Sequence, residues 1–269
     1  MPVKNLKVTL IQANLHWEDV DANLIMFGEK IAGLKEATDL IVLPEMFSTG
    51  FSMNVAKLAE PMNNSKAIKW MRKMAAGKNA VITGSLMLED GGAFYNRLIW
   101  MLPNGTFEQY DKRHLFSLSN EEKLYTPGNE RIMVELKGWR VCPLVCYDLR
   151  FPVWSRNEPH GYDLLLYVAN WPERRIYAWK QLLVARAIEN QSYVIGLNRV
   201  GNDGNDIYHS GDSMVVDALG NVLYHKQHDE DVFTTELNYE ELEKTRKALP
   251  FLKDADSFIV NPKAKIQSH

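Results

Sequence analysis

The feature that most constrains this chain is an alternation of short apolar runs with longer segments of helical periodicity. The first run, LKVTLIQAN, is followed by apolar side chains at steps of three and four from Leu24 to Leu34, and then by a second run, DLIVLPE. Apolar residues three or four apart share one face of a helix, whereas a short apolar run bounded by turn residues is typical of a buried strand. The pattern predicts a β-α-β unit.

The same alternation continues along the chain. A second helical pattern lies around Ile68 and Met71, and the residues PNGT mark a hairpin turn between RLIWML and FEQYDK. Further apolar runs, a helical pattern and a second hairpin follow after residue 150, in the segments YDLLLYVANW, 176–190, SYVIGLNRV, SMVVDALGNVLYH and EELEKTRKAL. We therefore expect an α/β fold with mixed sheets.

Length and composition fit one domain. The chain has 269 residues, of which 46% are hydrophobic, and this is enough to bury a substantial core. No low-complexity linker, charge block or long repeat interrupts it. We expect a single domain over residues 1–269, with a core from about 5 to 235 and a C-terminal extension over about 236–269 whose last fifteen or so residues cover the surface or a partner subunit.

The charge balance argues against several classes of partner. There are 31 basic and 34 acidic residues, giving a formal net charge of -3, so no basic footprint for nucleic acid or an anionic membrane surface is present. The chain has no signal-peptide pattern and no apolar run of about 18 residues that could span a bilayer. We expect a soluble cytoplasmic protein that acts on a small molecule.

The cysteines, histidines and glycines provide no evidence for a disulfide, metal site or nucleotide site. Cys142 and Cys146 lie on one predicted strand, where four residues at about 3.3 Å each separate them by about 13 Å, too far for a disulfide. The seven histidines show no HxxxH spacing, and no GxGxxG or P-loop pattern occurs. We therefore expect two free thiols and no metal or cofactor.

The two cysteines differ in their surroundings within VCPLVCYDLR. Cys142 lies inside the apolar run, where a free cysteine is usually a small packed hydrophobe. Cys146 ends the run, directly before Tyr147 and Asp148, and open α/β sheets bind ligands at the carboxyl ends of their strands. Position alone leaves Cys146 open as either a buried thiol or a nucleophile.

Two other predicted strand ends carry groups that a nucleophilic thiol needs. DLIVLPEMF closes with Glu45, and FEQYDKRHLF places Lys112 after a strand, although either residue alone could be a solvated surface charge. A desolvated carboxylate can accept the thiol proton, and an ammonium can stabilise the oxyanion formed on attack at a carbonyl carbon. Together with Cys146, they indicate acyl transfer through a thioester. A Cys-His pair using His114 stays open as a rival arrangement.

Three spaced motifs, LPEMFSTGF, YDKRHLF and PLVCYDLRFPVWSR, together with the later segment ARAIENQSYVIGLNRVG, carry a family resemblance. The chain resembles the nitrilase superfamily of carbon-nitrogen hydrolases from about residue 5 to about 235. The resemblance implies a four-layer αββα sandwich, with two mixed β-sheets flanked by helices, and a homodimer or larger homo-oligomer.

The resemblance also implies roles for individual residues. Cys146 is then the nucleophile, Glu45 the general base and acid, and Lys112 the oxyanion stabiliser, with the backbone N–H of Tyr147 completing the oxyanion hole.

Many members of the superfamily carry a second glutamate that orients the lysine. Within NEEKLYTPGN, the spacing to Tyr125 and Gly128 selects Glu121 for this position. Glu122 is its immediate neighbour and stays open as the alternative.

Three segments, LFSLSNEEKLYTPGN, VCYDLRFPVWSRN and VANWPERR, look most like the omega-amidase branch, which hydrolyses the terminal amide of 2-oxoglutaramate and 2-oxosuccinamate. Such a substrate needs a cation for its free carboxylate, and Arg150, Arg174 and Arg175 are the candidates, unless Arg150 pairs with Asp148 or a neighbouring carboxylate instead. Aromatic candidates for the pocket wall, each equally placed to be core, are Phe116, Tyr125 and Trp171.

Other functions stay open at this point. Within the superfamily the substrate could be a nitrile, an N-carbamoyl amine or a deaminated peptide amide such as deaminated glutathione. From a different class, a non-catalytic binding protein could retain the fold. The intact set of Glu45, Lys112 and Cys146 favours an enzyme that hydrolyses a small amide with water and without a cofactor.

Overall fold

Residues 4–158 and 161–260 are described by the structure, a computed structural model. They form two seven-stranded mixed sheets. In spatial order the first sheet contains β14 (Asp231–Leu237), β1 (Leu6–Gln12), β2 (Leu40–Val42), β4 (Val81–Asp90), β5 (Ala93–Met101) and β6 (Phe107–Asp111), with β3 (Glu60–Pro61) paired to β4.

The second sheet repeats the plan of the first, with a parallel centre and antiparallel flanks. In spatial order it contains β11 (Val200–Asn202), β12 (Tyr208–Val216), β10 (Tyr193–Asn198), β9 (Leu164–Ala169), β8 (Trp139–Val145) and β7 (Val134–Leu136), with β13 (Val222–Gln227) paired to β12.

Helices cover the outer faces of the two sheets, so the predicted four-layer αββα sandwich of nitrilase type is confirmed. The helices of the described residues are α1 (Val20–Ala32), α2 (Val55–Leu58), α3 (Lys66–Lys78), α4 (Glu121–Leu124), α5 (Pro152–Ser155), α6 (Ile176–Asn190) and α7 (Tyr239–Ala248). No helix in the described ranges is long and apolar enough to cross a membrane.

Burial on both faces of the strands explains why the apolar runs in the sequence are continuous. In β2, Leu40 and Val42 join the core between the sheets, whereas Ile41 points the other way and packs with residues of α1 and α3. Successive side chains of a strand face opposite sides, so a strand buried on both faces reads as a continuous apolar run. Such strands bury all their side chains and leave only their ends free for polar chemistry.

Local capping sets the helix boundaries. The Asp19 side chain accepts the Ala22 N–H at 3.0 Å at the start of α1, and Ser65 accepts the Ile68 N–H at 3.1 Å at the start of α3. The prediction that the first helix extends to Leu34 is wrong, because α1 ends at Ala32 with Gly33 as its C-cap. The predicted helix over 176–190 coincides with α6.

The C-terminal part of the chain contributes directly to the sheets. β14 spans the expected boundary near residue 235 and pairs with β1 along its whole length. α7 then packs through the buried Leu242. The expectation for the last fifteen or so residues falls partly outside the described ranges, and residues 256–260 are exposed.

One buried carboxylate ties α7 to the second sheet. Asp163 is fully buried and accepts hydrogen bonds from Arg140 and Arg246, the latter at 2.6 Å. Burial alone would raise the pKa of Asp163, but these hydrogen bonds outweigh it and the pKa is lowered. A depressed folded-state pKa stabilises the fold above the unfolded value of about 4, and this contribution is lost as the pH falls through the folded-state value.

We expect Asp163→Asn to lower the free energy of unfolding at pH 7 by about 1.5–3 kcal/mol, because charge-assisted hydrogen bonds are lost. The difference from the wild type should narrow as the pH falls from about 4, where the unfolded chain takes up the proton, through the lowered folded-state pKa, where the native carboxylate becomes protonated. Urea denaturation at pH 7 and at a pH below about 4 measures both effects. Replacing the exposed Glu108 with glutamine is the control. Superimposable curves for Asp163→Asn and the wild type at pH 7 would refute this assignment.

Candidate active site

Three strand ends meet at one place between the sheets. Glu45 lies three residues after β2 and Lys112 directly after β6 in the first sheet, while Cys146 directly follows β8 in the second. The predicted convergence of an acid, a cation and a thiol is therefore present in the structure. Lys112 and Cys146 line a cavity of about 490 Å³, and Glu45 is fully buried behind them.

Lys112 is held between two carboxylates. Its Nζ lies 2.9 Å from Glu45 Oε1 and 3.0 and 2.9 Å from the two oxygens of Glu121. Burial alone would lower the pKa of Lys112, but the charges of Glu121 and Glu45 outweigh it, and the pKa is raised above its ordinary value. The lysine is therefore a permanent ammonium at physiological pH.

The main-chain neighbours of Lys112 are equally constrained. Its carbonyl accepts the Gly128 N–H at 3.1 Å, and a Cβ at Gly128 would lie only 2.1 Å from the Asp111 carbonyl oxygen. Glycine is therefore required where this loop crosses the lysine segment.

Glu121, rather than Glu122, faces the site. Glu121 is fully buried and accepts the Phe116 N–H at 2.6 Å, whereas Glu122 is exposed. Burial raises the pKa of Glu121, and the negative charge of Glu45 adds to this effect, while Lys112 opposes it. The residue selected by motif spacing is thus the one in contact with Lys112.

Two asparagines that the sequence reasoning missed hold Glu45 in place. Asn96 Nδ2 donates to Glu45 Oε1 at 2.8 Å and to Glu121 at 3.2 Å. The Asn170 N–H donates to Glu45 Oε2 at 2.8 Å, and its side chain donates to the Glu45 carbonyl at 2.6 Å. Asparagine is depleted in strands, so the buried Asn96 within β5 was a usable signal for a polar network.

Cys146 has the backbone of a sharp turn. Its φ is 45°, in the left-handed region, and it begins a 3₁₀ helix over Cys146–Arg150. Burial raises the pKa of the thiol well above its ordinary value, the Glu45 carboxylate adds to the rise, and Lys112 opposes it. The resting thiol is therefore protonated, with a carboxylate adjacent to take its proton.

Cys142 has a different environment. It is fully buried in the core, and burial raises its pKa to about 12. Both cysteines are free. The structure thus places only Cys146 at the cavity.

We expect iodoacetamide to alkylate Cys146 but not Cys142 in the native protein. Because the pKa of Cys146 is raised, its alkylation rate should keep increasing above a pH of about 10, where an ordinary thiol with a pKa of about 8.5 has reached its plateau. Peptide mapping after timed alkylation measures both sites, and unfolding in denaturant should make Cys142 reactive. Native labelling of Cys142, or a Cys146 plateau near neutral pH, would show that these environments are wrong.

His114, the rival partner for the thiol, is directed elsewhere. Its Nδ1 lies 2.7 Å from Asp148 Oδ1, and its ring stacks on Phe151 with a centroid distance of 3.7 Å. Only 7% of the residue is exposed, and it is not among the residues that line the cavity. The geometry thus pairs His114 with Asp148 rather than with Cys146.

The candidate pocket residues divide into two groups. The cavity is lined by Phe116, Tyr147, Arg150, Trp171, Arg174 and Arg175, among others. The prediction that Tyr125 walls this pocket is wrong, because its ring packs in a small core cluster with Met46 and its hydroxyl donates to the Ser52 carbonyl at 2.9 Å.

Aromatic faces hold two of the three arginines. The Arg150 guanidinium lies 4.8 Å from the Trp171 ring centroid, and the Arg175 guanidinium lies 4.8 Å from that of Phe116. Burial lowers the pKa of Arg175, and the nearby charges of Arg174 and Arg150 lower it further. Within residues 4–158 and 161–260, no carboxylate lies within 4.0 Å of these guanidiniums, so Arg150 is not paired with Asp148. This end of the cavity is suited to an anion.

Comparison with known proteins agrees with this fold. The family profile described as carbon-nitrogen hydrolase matches residues 7–247, and the chain belongs to this family. A solved structure of a CN-hydrolase superfamily protein from Xanthomonas campestris, with an arsenic adduct in its active site, superimposes with a TM-score of 0.93 at 43% identity, covering 96% of this chain and 100% of that one.

Curated relatives are similar over nearly the whole chain. Omega-amidase YafV of Escherichia coli (strain K12) is 46% identical over 254 residues, which are 94% of this chain and 98% of the relative. The 2-oxoglutaramate amidase of Bacillus subtilis (strain 168) is 33% identical, covering 86% of this chain and 93% of that protein. The predicted family is thus confirmed.

Proposed function

We propose that this protein is an omega-amidase, which hydrolyses the terminal amide of small 2-oxo dicarboxylic acid monoamides such as 2-oxoglutaramate and 2-oxosuccinamate. The products are the dicarboxylate and ammonia. The observation that carries the proposal is a buried acid and lysine beside a half-buried thiol, at the end of a cavity whose arginines have no carboxylate partner among the described residues. Similarity to proteins named omega-amidase and 2-oxoglutaramate amidase supports it.

The first half-reaction forms a thioester. Glu45 takes the thiol proton as Cys146 Sγ attacks the amide carbon, and the oxyanion is stabilised by Lys112 Nζ and the Tyr147 N–H. Glu45 then gives the proton to the amide nitrogen, the carbon-nitrogen bond breaks, and ammonia leaves.

The second half-reaction uses the same residues. Glu45 takes a proton from water as the water oxygen attacks the thioester carbon, and the collapse of the tetrahedral intermediate releases the carboxylic acid. The proton on Glu45 returns to the Cys146 sulfur, so the site is regenerated. Glu121 contacts Lys112 through both oxygens and keeps it charged and oriented throughout.

The free carboxylate of the substrate is assigned to the arginines. Arg150 and Arg175 are half-buried, and each guanidinium lies over an aromatic ring, whereas Arg174 is exposed. A guanidinium that is already oriented loses less freedom when it binds a carboxylate in bidentate fashion.

We expect Arg150→Gln and Arg175→Gln each to raise the KM for 2-oxoglutaramate about 10- to 100-fold, because charge-assisted hydrogen bonds contribute roughly 1.5–3 kcal/mol. Arg174→Gln serves as the matched control and should change KM far less. Steady-state ammonia release measures all three variants. An effect of Arg174→Gln larger than either of the others would reassign the carboxylate site.

A substrate panel tests the proposed activity. Hydrolysis should be fastest for 2-oxoglutaramate and 2-oxosuccinamate, compared with a nitrile, an N-carbamoyl amine and deaminated glutathione. Each rate is followed as loss of the substrate, because deaminated glutathione releases a peptide amine rather than ammonia. A clear preference for one of the other three would replace the omega-amidase proposal with another carbon-nitrogen hydrolase activity.

A non-catalytic binding function is the alternative from another class. It predicts that an electrophilic amide analogue leaves Cys146 unmodified, whereas the amidase proposal predicts covalent labelling. Intact-mass spectrometry distinguishes the two.

We also infer a cytoplasmic homodimer or larger homo-oligomer. Two free cysteines fit a reducing compartment, and the exposed side chains Val153, Phe251 and Phe258 line one shallow surface pocket that a second copy could cover. Light scattering of the purified chain measures the oligomer size, and cell fractionation measures the location.

A further inference from the structure

Asp148 is a buried carboxylate that takes no part in the proposed reaction. It is fully buried, and its oxygens accept four hydrogen bonds. Oδ2 accepts the Tyr110 hydroxyl at 2.7 Å and the Val145 N–H at 3.0 Å. Oδ1 lies 3.0 Å from the His114 backbone nitrogen, which donates to it, and 2.7 Å from His114 Nδ1. Buried polar groups are normally hydrogen-bonded, so the role of Asp148 follows from where its partners lie rather than from the pairing itself.

The partners of Asp148 lie on both sides of the site. Tyr110 and His114 are two residues before and two residues after Lys112, on the segment that leaves the first sheet. Val145 directly precedes Cys146, at the end of a strand of the second sheet. One carboxylate therefore joins the segment that carries the lysine to the turn that carries the thiol.

The turn at Cys146 needs such support. Its φ of 45° lies in the left-handed region, which is unfavourable for a residue with a side chain. The bond from the Val145 N–H to Asp148 closes this turn over the two residues between them. A site that holds strained backbone with a buried hydrogen-bonded group keeps its geometry only while that group is present.

We propose that Asp148 is a positioning residue that fixes Lys112 Nζ relative to Cys146 Sγ by bonding to both chain segments at once. The assignment rests on the proposed function for the roles of the lysine and the thiol. A misplacement of about 1 Å between reacting groups can cost about 100-fold in rate. The expected consequence of losing Asp148 is thus a loss of turnover rather than of substrate binding.

The reactivity of the thiol reports the same geometry. The charged and titratable groups that face Cys146 are Glu45, Glu121, Lys112 and Arg175. The charge of Lys112 favours the thiolate, whereas the two glutamates oppose it. If the lysine segment moves away, the thiolate fraction at a fixed pH falls, and alkylation slows. A structure that has merely loosened would instead expose the thiol and speed alkylation.

The test is Asp148→Asn, which keeps the shape but turns an amide N–H₂ donor toward the surrounding donors. We expect kcat for 2-oxoglutaramate to fall about 100-fold, with KM changed by less than about threefold. The rate of Cys146 alkylation by iodoacetamide at pH 8 should fall as well. A kcat within threefold of the wild type, or faster alkylation, would overturn the proposal.

Asp163→Asn is the matched control, because Asp163 is an equally buried, multiply bonded aspartate whose arginine partners lie away from the cavity. It should lose stability while kcat and alkylation stay unchanged. If Asp148→Asn does not fold, Tyr110→Phe removes one of the four bonds, and the same readouts decide. Failure of the wild type to hydrolyse 2-oxoglutaramate would refute only the proposed function. The alkylation rate needs no substrate, so it tests independently whether Asp148 holds Lys112 near Cys146.

Discussion

Replacing Cys146 with alanine is expected to abolish ammonia release from 2-oxoglutaramate, with a loss of at least about 10⁴-fold in kcat. The sulfur is the atom that forms the thioester. Among the described residues that line the cavity, no other thiol or hydroxyl forms a hydrogen bond with Glu45. The loss should occur without unfolding, because Cys146 lies at the cavity rather than inside the packed core. Steady-state ammonia release with matched circular dichroism measures both.

Cys142→Ala is the control for this prediction. Cys142 lies four residues earlier on the same chain segment and is fully buried in the core, so its loss should cost stability and leave kcat close to that of the wild type. Wild-type turnover by Cys146→Ala would refute the mechanism, whatever the result for Cys142→Ala.

Replacing Glu45 with glutamine is expected to produce the second-largest loss, about 10²- to 10⁴-fold in kcat. A glutamine cannot take the proton from the thiol or from water, so both half-reactions fail. Its amide nitrogen would also face N–H donors, since both Glu45 oxygens accept hydrogen bonds from Lys112, Asn96 and Asn170. Ammonia release and the intact mass of the protein during turnover are the measurements, and no acyl-enzyme should accumulate.

The matched control is Glu122→Gln, which removes an exposed glutamate beside the buried Glu121. It should leave kcat unchanged. If Glu45→Gln keeps more than about a tenth of the wild-type kcat, Glu45 is not the general base.

The three principal residues of the site could be predicted from sequence because a local sequence pattern marks each of them. A strand buried on both faces reads as an apolar run, and the first polar residues after it mark the strand end where a site forms. Glu45, Lys112 and Cys146 all follow such runs. The alternation of runs and helical patterns likewise predicted the α/β class and the position of α6.

The residues that complete the network could not be found this way, because their partners are distant in sequence. Asn96 and Asn170 bond Glu45 across 51 and 125 residues, and only the assembled fold brings them together. Tyr125 shows the opposite error, since an aromatic residue near a motif packs into the core as readily as into a pocket wall. The placement of His114 against Asp148 also depends on contacts between the two sheets.

The most direct test of the central claim compares 2-oxoglutaramate with 4-oxopentanamide, the same chain with a methyl group in place of the free carboxylate. The measurement is kcat/KM for ammonia release by the wild-type protein. The assignment of a 2-oxo dicarboxylic monoamide to this cavity predicts a preference of about 100-fold or more for the charged substrate. Without the substrate carboxylate, the guanidiniums of Arg150 and Arg175 would stay unpaired. Equal values, or a preference for 4-oxopentanamide, would contradict it.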